Sequence, residues 1–537
     1  MENAVFSSSV KMGRGPFYSY FTVIFLLLCC MSFNYFFQNN CTELGDLAAN
    51  ALQSLHAKQF QEIHGNYSRW NFNHPGPAFF YLYGFGERLF FDTLKITQSP
   101  YAAHALMGFF IQFVFFVMSI GIASTWVKNR LFPFVACALG AVHFGLVQYA
   151  FYSLWPPHVL LFPFLCLMIS CSSVAAGKGE HLPFAIVSGG MLLHGHVAQP
   201  LFVVPSLLLA YFGLFLNRMS QTDCSGLGDI VRRYKKEHIL AGMMVGVFAF
   251  PLIVDLFHWP HSNLKYILNH LRQHRGEGHK FYQSLVYFLS YFTYFQDQEK
   301  LGEKFGRDLR PFLLNHLPIL LGWMTGLAIC WFGLVRDKAK NGIDPVFRKA
   351  LTGFWFMAIV LTLIWGIKQD GVMYNFNSYF NSAILFIPVL GVGVLVSQVI
   401  DRMVSFPVGW VTVLLLNCFA FKIFLTPVVF SVDGGNRIGP VVEKKLQEYP
   451  SAQPVLVFDI SAWYMAIGVA LQLERLGQKW AVLEDYGCSF GRDRTVKDPS
   501  DLKKKGLKSV VWKIEPTKPG AISDLPGDFV IQVVAQN

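Results

Sequence analysis

Residues 101–126 read YAAHALMGFFIQFVFFVMSIGIASTW, with no Asp, Glu, Lys or Arg anywhere in the run. A helix needs about 20 mainly apolar residues to cross the hydrocarbon core of a bilayer, and this run is longer. Such a stretch is built for lipid, and its reading decides the fold class. Runs of similar character recur outward from it, at 17–37, 131–152, 156–176, 181–198, 201–217, 238–257, 312–335, 350–367, 379–400 and 408–430. Together they predict an α-helical polytopic membrane protein with about eleven spans. The first run follows Lys11 and Arg14 and has no small-residue cleavage site, so it reads as a retained helix rather than a signal peptide.

Composition agrees with that solvent. Only 14% of the 537 residues are charged and 53% are hydrophobic, whereas soluble domains carry roughly 25% charge. The net charge of +11 sits in short loops: Lys128 and Arg130; Arg232, Arg233, Lys235 and Lys236; Arg336, Lys338, Lys340, Arg348 and Lys349. Basic residues so distributed set membrane orientation. The basic tail or helix face that nucleic acid requires is missing, which excludes that class of partner. With the N-terminus in the cytoplasm, loops 127–130, 177–180, 218–237, 336–349 and 401–407 fall inside, and segments 38–100, 258–311 and 431–537 fall outside. Most of the ten Cys lie in apolar runs as small hydrophobes, and no CxxC spacing occurs. Cys41 and Cys488 both face outward in this threading and could pair or stay free.

The chain divides at about residue 430, where membrane composition ends. Residues 1–430 form the transmembrane domain with its outer loops. Residues 431–537 read as strand 454–458, helix 462–476, and strands 480–483, 509–514 and 529–534, a small α/β domain. No internal repeat marks the chain as an inverted-repeat transporter.

Candidate chemistry collects in the outer segments. A helix is predicted over 46–60, with the pattern of an interfacial amphipathic helix. Asp46 at its start reads either as an N-cap or as a carboxylate able to take a proton. His74-Pro75-Gly76-Pro77 makes a rigid turn into an aromatic helix. His194 and His196 interrupt an apolar stretch, where ionisable groups usually face a cavity or a partner, and His196 with Gln199 would line an outward vestibule. His270 and His274 share a helix face at a spacing that suits a metal, but no acidic third ligand has matching spacing, so an exposed amphipathic helix is the reading preferred. Lys368 and Tyr374 border the same vestibule.

The run Glu43–Leu44–Gly45–Asp46, then Tyr67-Ser68-Arg69 and His74-Pro75-Gly76-Pro77, resembles the GT-C glycosyltransferases. It is most similar to a bacterial branch with a Tyr-Ser-Arg…His-Pro-Gly-Pro signature in the first outer loop. The resemblance continues thinly at Leu154-Trp155-Pro156-Pro157-His158, at His194-Gly195-His196-Val197 and at Phe490-Gly491-Arg492. It implies a GT-C-like fold in a bacterial inner membrane, with the C-terminal domain extracytoplasmic. It also implies transfer of a sugar from a polyprenyl-phosphate donor to a glycan, lipid or protein acceptor. On that resemblance Asp46 is the general base, and Tyr67, Arg69, His74, His196 and Gln199 bind substrate. Many members carry two adjacent acidic residues where this chain has Gly45 and Asp46, which leaves use of a divalent metal open. The rival readings are a lipid-linked sugar flippase or transporter, which would need polar groups through the midplane, and a non-catalytic scaffold of envelope glycan assembly.

Overall fold

The computed structural model of the chain describes residues 14–68, 70–147, 149–220, 226–258, 262–273, 278–293, 310–336, 342–369, 371–403, 405–424, 438–483, 487–498, 508–517, 525 and 529–536. Arg69 and His274 lie outside the described residues. Each apolar run is occupied by helix: Arg14–Met31, Pro100–Ser124, Phe132–Leu146, Leu161–Ala175, Leu182–Gly195, Pro200–Ser220, Lys235–Leu256, Arg310–Arg336, Pro345–Lys368, Asn381–Met403 and Phe406–Phe424. Among the described residues, 6 helices are long and apolar enough to cross a bilayer: Pro100–Ser124, Pro156–Ala175, Pro200–Ser220, Lys235–Leu256, Pro345–Lys368 and Asn381–Met403. These make the chain an integral membrane protein. The expected count of about eleven spans is not established. Leu182–Gly195, for example, has 14 residues, and at 1.5 Å rise per residue it falls short of a bilayer core of about 30 Å.

Contacts sort the loops onto two ends of the bundle. At one end Lys178 Nζ donates to Thr125 O at 2.7 Å, Asp344 N to Trp126 O at 2.9 Å and Asn129 Nδ2 to Ser397 O at 3.1 Å. Arg218 meets Gly177 O and Tyr234 Oη at the same end. These are the Lys- and Arg-rich loops. The first loop, the 196–199 turn and the C-terminal domain gather at the other end.

The C-terminal domain holds a five-stranded sheet in the order β3-β2-β1-β4-β5: β1 Gln453–Phe458, β2 Ala481–Leu483, β3 Thr495–Val496, β4 Ser509–Pro516 and β5 Phe529–Gln536. All neighbours run parallel except β4 and β5. Strand alternation assigns the faces. Leu456, Phe458, Val510, Trp512 and Ile514 join one core with helix Trp463–Arg475, while Val455, Ala481, Val496 and Val511 pack together on the reverse face. Sequence periodicity anticipated four of the strands and the helix. It missed the two-residue β3 and the helix Ile438–Glu448.

The first-loop helix, Gly45–Lys58, occupies the predicted stretch but not the predicted surroundings. Ala48, Ala49 and Leu52 are buried in the C-terminal domain's core beside Met465 and Val469, and the helix also packs against Ala78–Gly86. Its apolar face meets protein on both sides rather than lying in an interface. The cause is residue size: alanines let a second helix approach closely, and on the facing helix a Cβ at Gly468 would strike Leu44.

A buried chain of charges ties these layers together. Lys58 Nζ lies 2.8 Å from Glu87 Oε1, Glu87 Oε2 is 2.9 Å from His104 Nε2, His104 Nδ1 is 3.8 Å from Glu43 Oε1, and Arg475 Nη2 is 2.9 Å from the same oxygen. Glu43 is 1% exposed, and Glu87 and His104 are 3% exposed. Burial works to raise the Glu87 carboxyl, but hydrogen bonds and charge from His104 and Lys58 outweigh it and lower its pKa from the usual 4.5 to about 2. A carboxylate held down in the fold gives its stabilisation in full above the unfolded value and loses it as pH falls toward the folded one. The melting temperature should therefore drop between pH 4.5 and 2, through loss of about 3 kcal/mol from this group. Glu87→Gln should melt lower at pH 7 and show a flatter acid limb; an unchanged limb would remove Glu87 as its source.

Candidate functional site

The Tyr-Ser-Arg…His-Pro-Gly-Pro segment folds as a short hairpin rather than a simple turn. Gly65 N donates to His74 O at 2.8 Å, His74 N to Asn66 O at 2.7 Å and Ser68 N to Phe72 O at 2.8 Å, with Tyr67 paired opposite Asn73. Asn71 turns the chain at φ +56°, a left-handed conformation that Asn tolerates. Two glycines permit the close approach of this hairpin to the bundle. A Cβ on Gly65 would press on the carbonyls of His74, Gly76 and His194, and one on Gly76 would collide with the His194 ring.

Each face of the hairpin presents a different group, because successive residues of an extended strand point to opposite sides. On one side Tyr67 Oη donates to Asp46 Oδ1, and its ring lies 5.5 Å from that of Trp463 in the C-terminal domain. Asn73, opposite Tyr67, donates to Cys488 O at 3.2 Å. Asp46 is half-buried in the first turn of its helix, while the N-cap position belongs to Leu44 and makes no side-chain cap bond. The reading of Asp46 as merely a cap is therefore wrong. Its carboxylate gains from the helix dipole and is held by one hydroxyl at the junction of the first loop and the C-terminal domain.

On the other side His74 stacks near His196, ring centroids 4.4 Å apart. Val197 N donates to His74 Nδ1 at 3.3 Å, and Ala198 N to His196 Nδ1 at 3.1 Å. An Nδ1 that accepts leaves the proton of a neutral ring on Nε2, so both imidazoles offer N–H donors. Burial, and then the neighbouring His196, hold the His74 pKa well below 6.5; it is uncharged at neutral pH. Gln199, on the same turn as His196, is 1% exposed with neither amide atom paired.

Four of the predicted residues thus fall into two pairs, Asp46 with Tyr67 and His74 with His196, joined by the hairpin rather than by direct contact. His194 departs from expectation. Its Nε2 is 2.7 Å from Phe248 O and it is buried, so it is a hydrogen-bonded core residue rather than a lining one. The reason is local: the helix runs to Gly195, and His196 turns extended at φ −157°, ψ 136°. His270 lies against Trp70 and Phe72, ring centroids 5.0 and 5.1 Å away. Among the described residues no group of three or more His, Cys, Asp or Glu is arranged to hold a metal ion. Lys368 is exposed and Tyr374 stacks on Phe376. Cys41 and Cys488 are not joined in a disulfide.

Sequence reading missed the clamp that fixes the hairpin. Asn263 Oδ1 accepts from Asn73 N, and its Nδ2 donates to Asn73 O, both at 2.7 Å. Asp255 in turn accepts from Asn263 N at 2.9 Å, Leu264 N at 3.0 Å and His64 Nε2 at 3.0 Å, capping the helix Asn263–Gln273 from outside it. The sole forewarning was Asp255 itself, an acid at the end of an apolar run.

No family model matches the chain, and no curated protein matches it. Among solved structures it is similar to an oligosaccharyltransferase from Archaeoglobus fulgidus in the apo form, at 10% identity, covering 93% of this chain and 69% of that chain with a TM-score of 0.33. At that score the likeness neither fixes the fold nor bears on the reaction.

Asn263→Ala would strand a buried N–H and a buried C=O of Asn73, each costing about 1–3 kcal/mol. The variant should melt lower by an amount of that order, and amides 64–76 should exchange hydrogen faster than in the wild type. Unchanged exchange there would mean that the hairpin is held by other contacts.

Proposed function

We propose that the protein is a membrane glycosyltransferase that moves a sugar from a polyprenyl-phosphate donor to a hydroxyl-bearing acceptor, with Asp46 as general base. The observation that carries this reading is the position of Asp46: a half-buried carboxylate, oriented by Tyr67, where the first loop meets the C-terminal domain. An acceptor hydroxyl is a poor nucleophile until a carboxylate within reach takes its proton. Its oxygen then bonds to the anomeric carbon, the bond from that carbon to the phosphate oxygen breaks, and polyprenyl phosphate leaves with the electron pair. The six apolar helices supply the lipid setting in which a polyprenyl tail stays dissolved.

The other residues support the same reading. His74 and His196 offer Nε2–H donors to substrate oxygens on the far face of the hairpin. Tyr67 acts on the base rather than on substrate: its hydroxyl holds the Asp46 rotamer, so it is a positioning residue. Arg69, which follows Tyr67-Ser68 in the sequence, is a cation suited to a departing phosphate. Trp463 and Tyr464 of the C-terminal domain pack beside Gly45, next to Asp46.

The test is sugar transfer by the purified chain in lipid, offered a panel of radiolabelled polyprenyl-phosphate sugars. Asp46→Asn keeps an acceptor for the Tyr67 hydroxyl, so it should fold normally while kcat falls about 10²–10⁴-fold. Equal transfer by the two proteins would strip Asp46 of its role. Absence of transfer from every donor by the wild type would favour the scaffold reading.

A further inference from the structure

Helix Asn263–Gln273 sorts its residues onto distinct faces, at about 100° of turn per residue. Asn263 and Ile267 are buried, and His270 lies against Trp70 and Phe72, so this face meets the hairpin. Beside it runs an apolar stripe that the described residues leave uncovered: Leu264 is half-buried, and Leu268 and Leu271 are exposed, the latter by 57%. A quarter turn further round come Lys265 and Arg272. Gln273 is exposed on the side opposite the leucines. The helix carries no acidic residue.

The span before it fixes where this helix begins. Asp255, in the last turn of the apolar span Lys235–Leu256, accepts from Asn263 N and Leu264 N. The first turn of the helix therefore sits directly on the end of a helix long and apolar enough to cross a bilayer. The apolar surface of that span is still open at its end, where Ile253 and Leu256 are exposed and Phe257 is 82% exposed. Trp70, beside His270, is exposed as well, and tryptophan favours the depth at which hydrocarbon gives way to water.

We propose that helix Asn263–Gln273 lies in the headgroup layer of the leaflet at this end of the bundle and binds anionic phospholipids. Leu264, Leu268 and Leu271 enter the acyl region, and Lys265 and Arg272 meet the lipid phosphates. An apolar stripe flanked by cations is the pattern of a helix lying in a membrane surface. Lys and Arg reach headgroups by laying their stems along the apolar surface, and each cation near an anionic surface adds to the attraction. A protein partner could cover the same leucines. The tie to the end of a membrane span favours lipid, because the bilayer surface already lies at the first turn. The interfacial role expected of residues 46–60 falls to this helix instead. Through Asn263 and His270 the leaflet surface then supports the hairpin that carries Tyr67 and His74. The inference needs only the membrane spans and stands apart from the glycosyltransferase reading.

The experiment puts p-benzoyl-phenylalanine in place of Leu271 or of Gln273, one at a time, in the full chain. Both positions are exposed, so neither replacement disturbs packing. The protein is held in nanodiscs of phosphatidylcholine and phosphatidylglycerol in equal parts, irradiated, and its adducts are identified by mass. The probe at Leu271 should join to lipid, and the probe at Gln273 should do so several-fold less. Phosphatidylglycerol should exceed phosphatidylcholine in the Leu271 adduct by about fivefold or more. Lys265→Gln combined with Arg272→Gln should bring the two lipids to parity, whereas Lys265→Arg combined with Arg272→Lys should keep the preference. No lipid adduct at Leu271, equal capture at the two positions, or an adduct to a second protein chain would overturn the placement in the leaflet. Parity of the two lipids with the native cations in place, or a preference that survives loss of both cations, would overturn the assignment of an anionic partner.

Discussion

The pairing of Glu43 with Arg475 is the contact on which the rest depends. A carboxylate at 1% exposure is costly to bury without a charged partner, and the guanidinium that meets it comes from the helix Trp463–Arg475 of the C-terminal domain. Through His104 the same carboxylate reaches the Pro100–Ser124 span, and through Glu87 and Lys58 the chain of charge returns to the first-loop helix. Breaking a buried pair by removing one partner costs several kcal/mol, because the other is left uncompensated. Three parts of the sequence are thus locked in one geometry three residues from Asp46. The alanines of the first-loop helix make the rest of the seam, but apolar packing tolerates sliding in a way that a buried ion pair does not.

That seam explains why a half-buried acid can be held at the junction at all. Asp46 is fixed from below by its helix and from the side by Tyr67, and Tyr67 is fixed by Trp463 and by a hairpin clamped at Asn263. Each support comes from a different part of the chain. The precision of such a carboxylate belongs to the assembly of membrane bundle and sheet domain, not to the loop that carries it.

The sequence made the helices and most strands legible because each is a local pattern: a long apolar run, or a short alternating one between turn residues. It could not make the partners legible. Tyr67 and Asp46 are 21 residues apart, Asn263 and Asn73 are 190 apart, and Arg475 and Glu43 are 432 apart; no periodicity links such positions. His194 and His196 show the limit most sharply. A single residue separates them, both interrupt the same apolar stretch, and one helix end sends the first into the core and the second to its neighbour His74. The count of about eleven spans is not established for a related reason, since hydropathy reads composition while crossing depends on helix length. Glu87 and His104 did carry a signal, being ionisable groups in aromatic and apolar surroundings, but a buried pair announces itself only when both members are seen together.

The hairpin gives the site its logic. Because Tyr67 and His74 project from opposite faces of one short ladder, the acid and the paired imidazoles cannot shift independently. A displacement that moved the hairpin toward the C-terminal domain would draw His74 from His196 by the same amount that it pressed Tyr67 on Asp46. On the proposed reading, the base that activates the acceptor and the donors that receive the sugar are then two sides of a single rigid element, and catalysis needs them at a constant separation. Gly65 and Gly76 follow from this demand, since a side chain at either would push the ladder off the bundle. So does the double hydrogen bond of Asn263, which fixes the one residue, Asn73, that lies opposite Tyr67 and next to His74. A sugar ring spanning the two sides would meet hydroxyl-matching groups on one and a proton acceptor on the other, which is the arrangement that transfer to a hydroxyl requires.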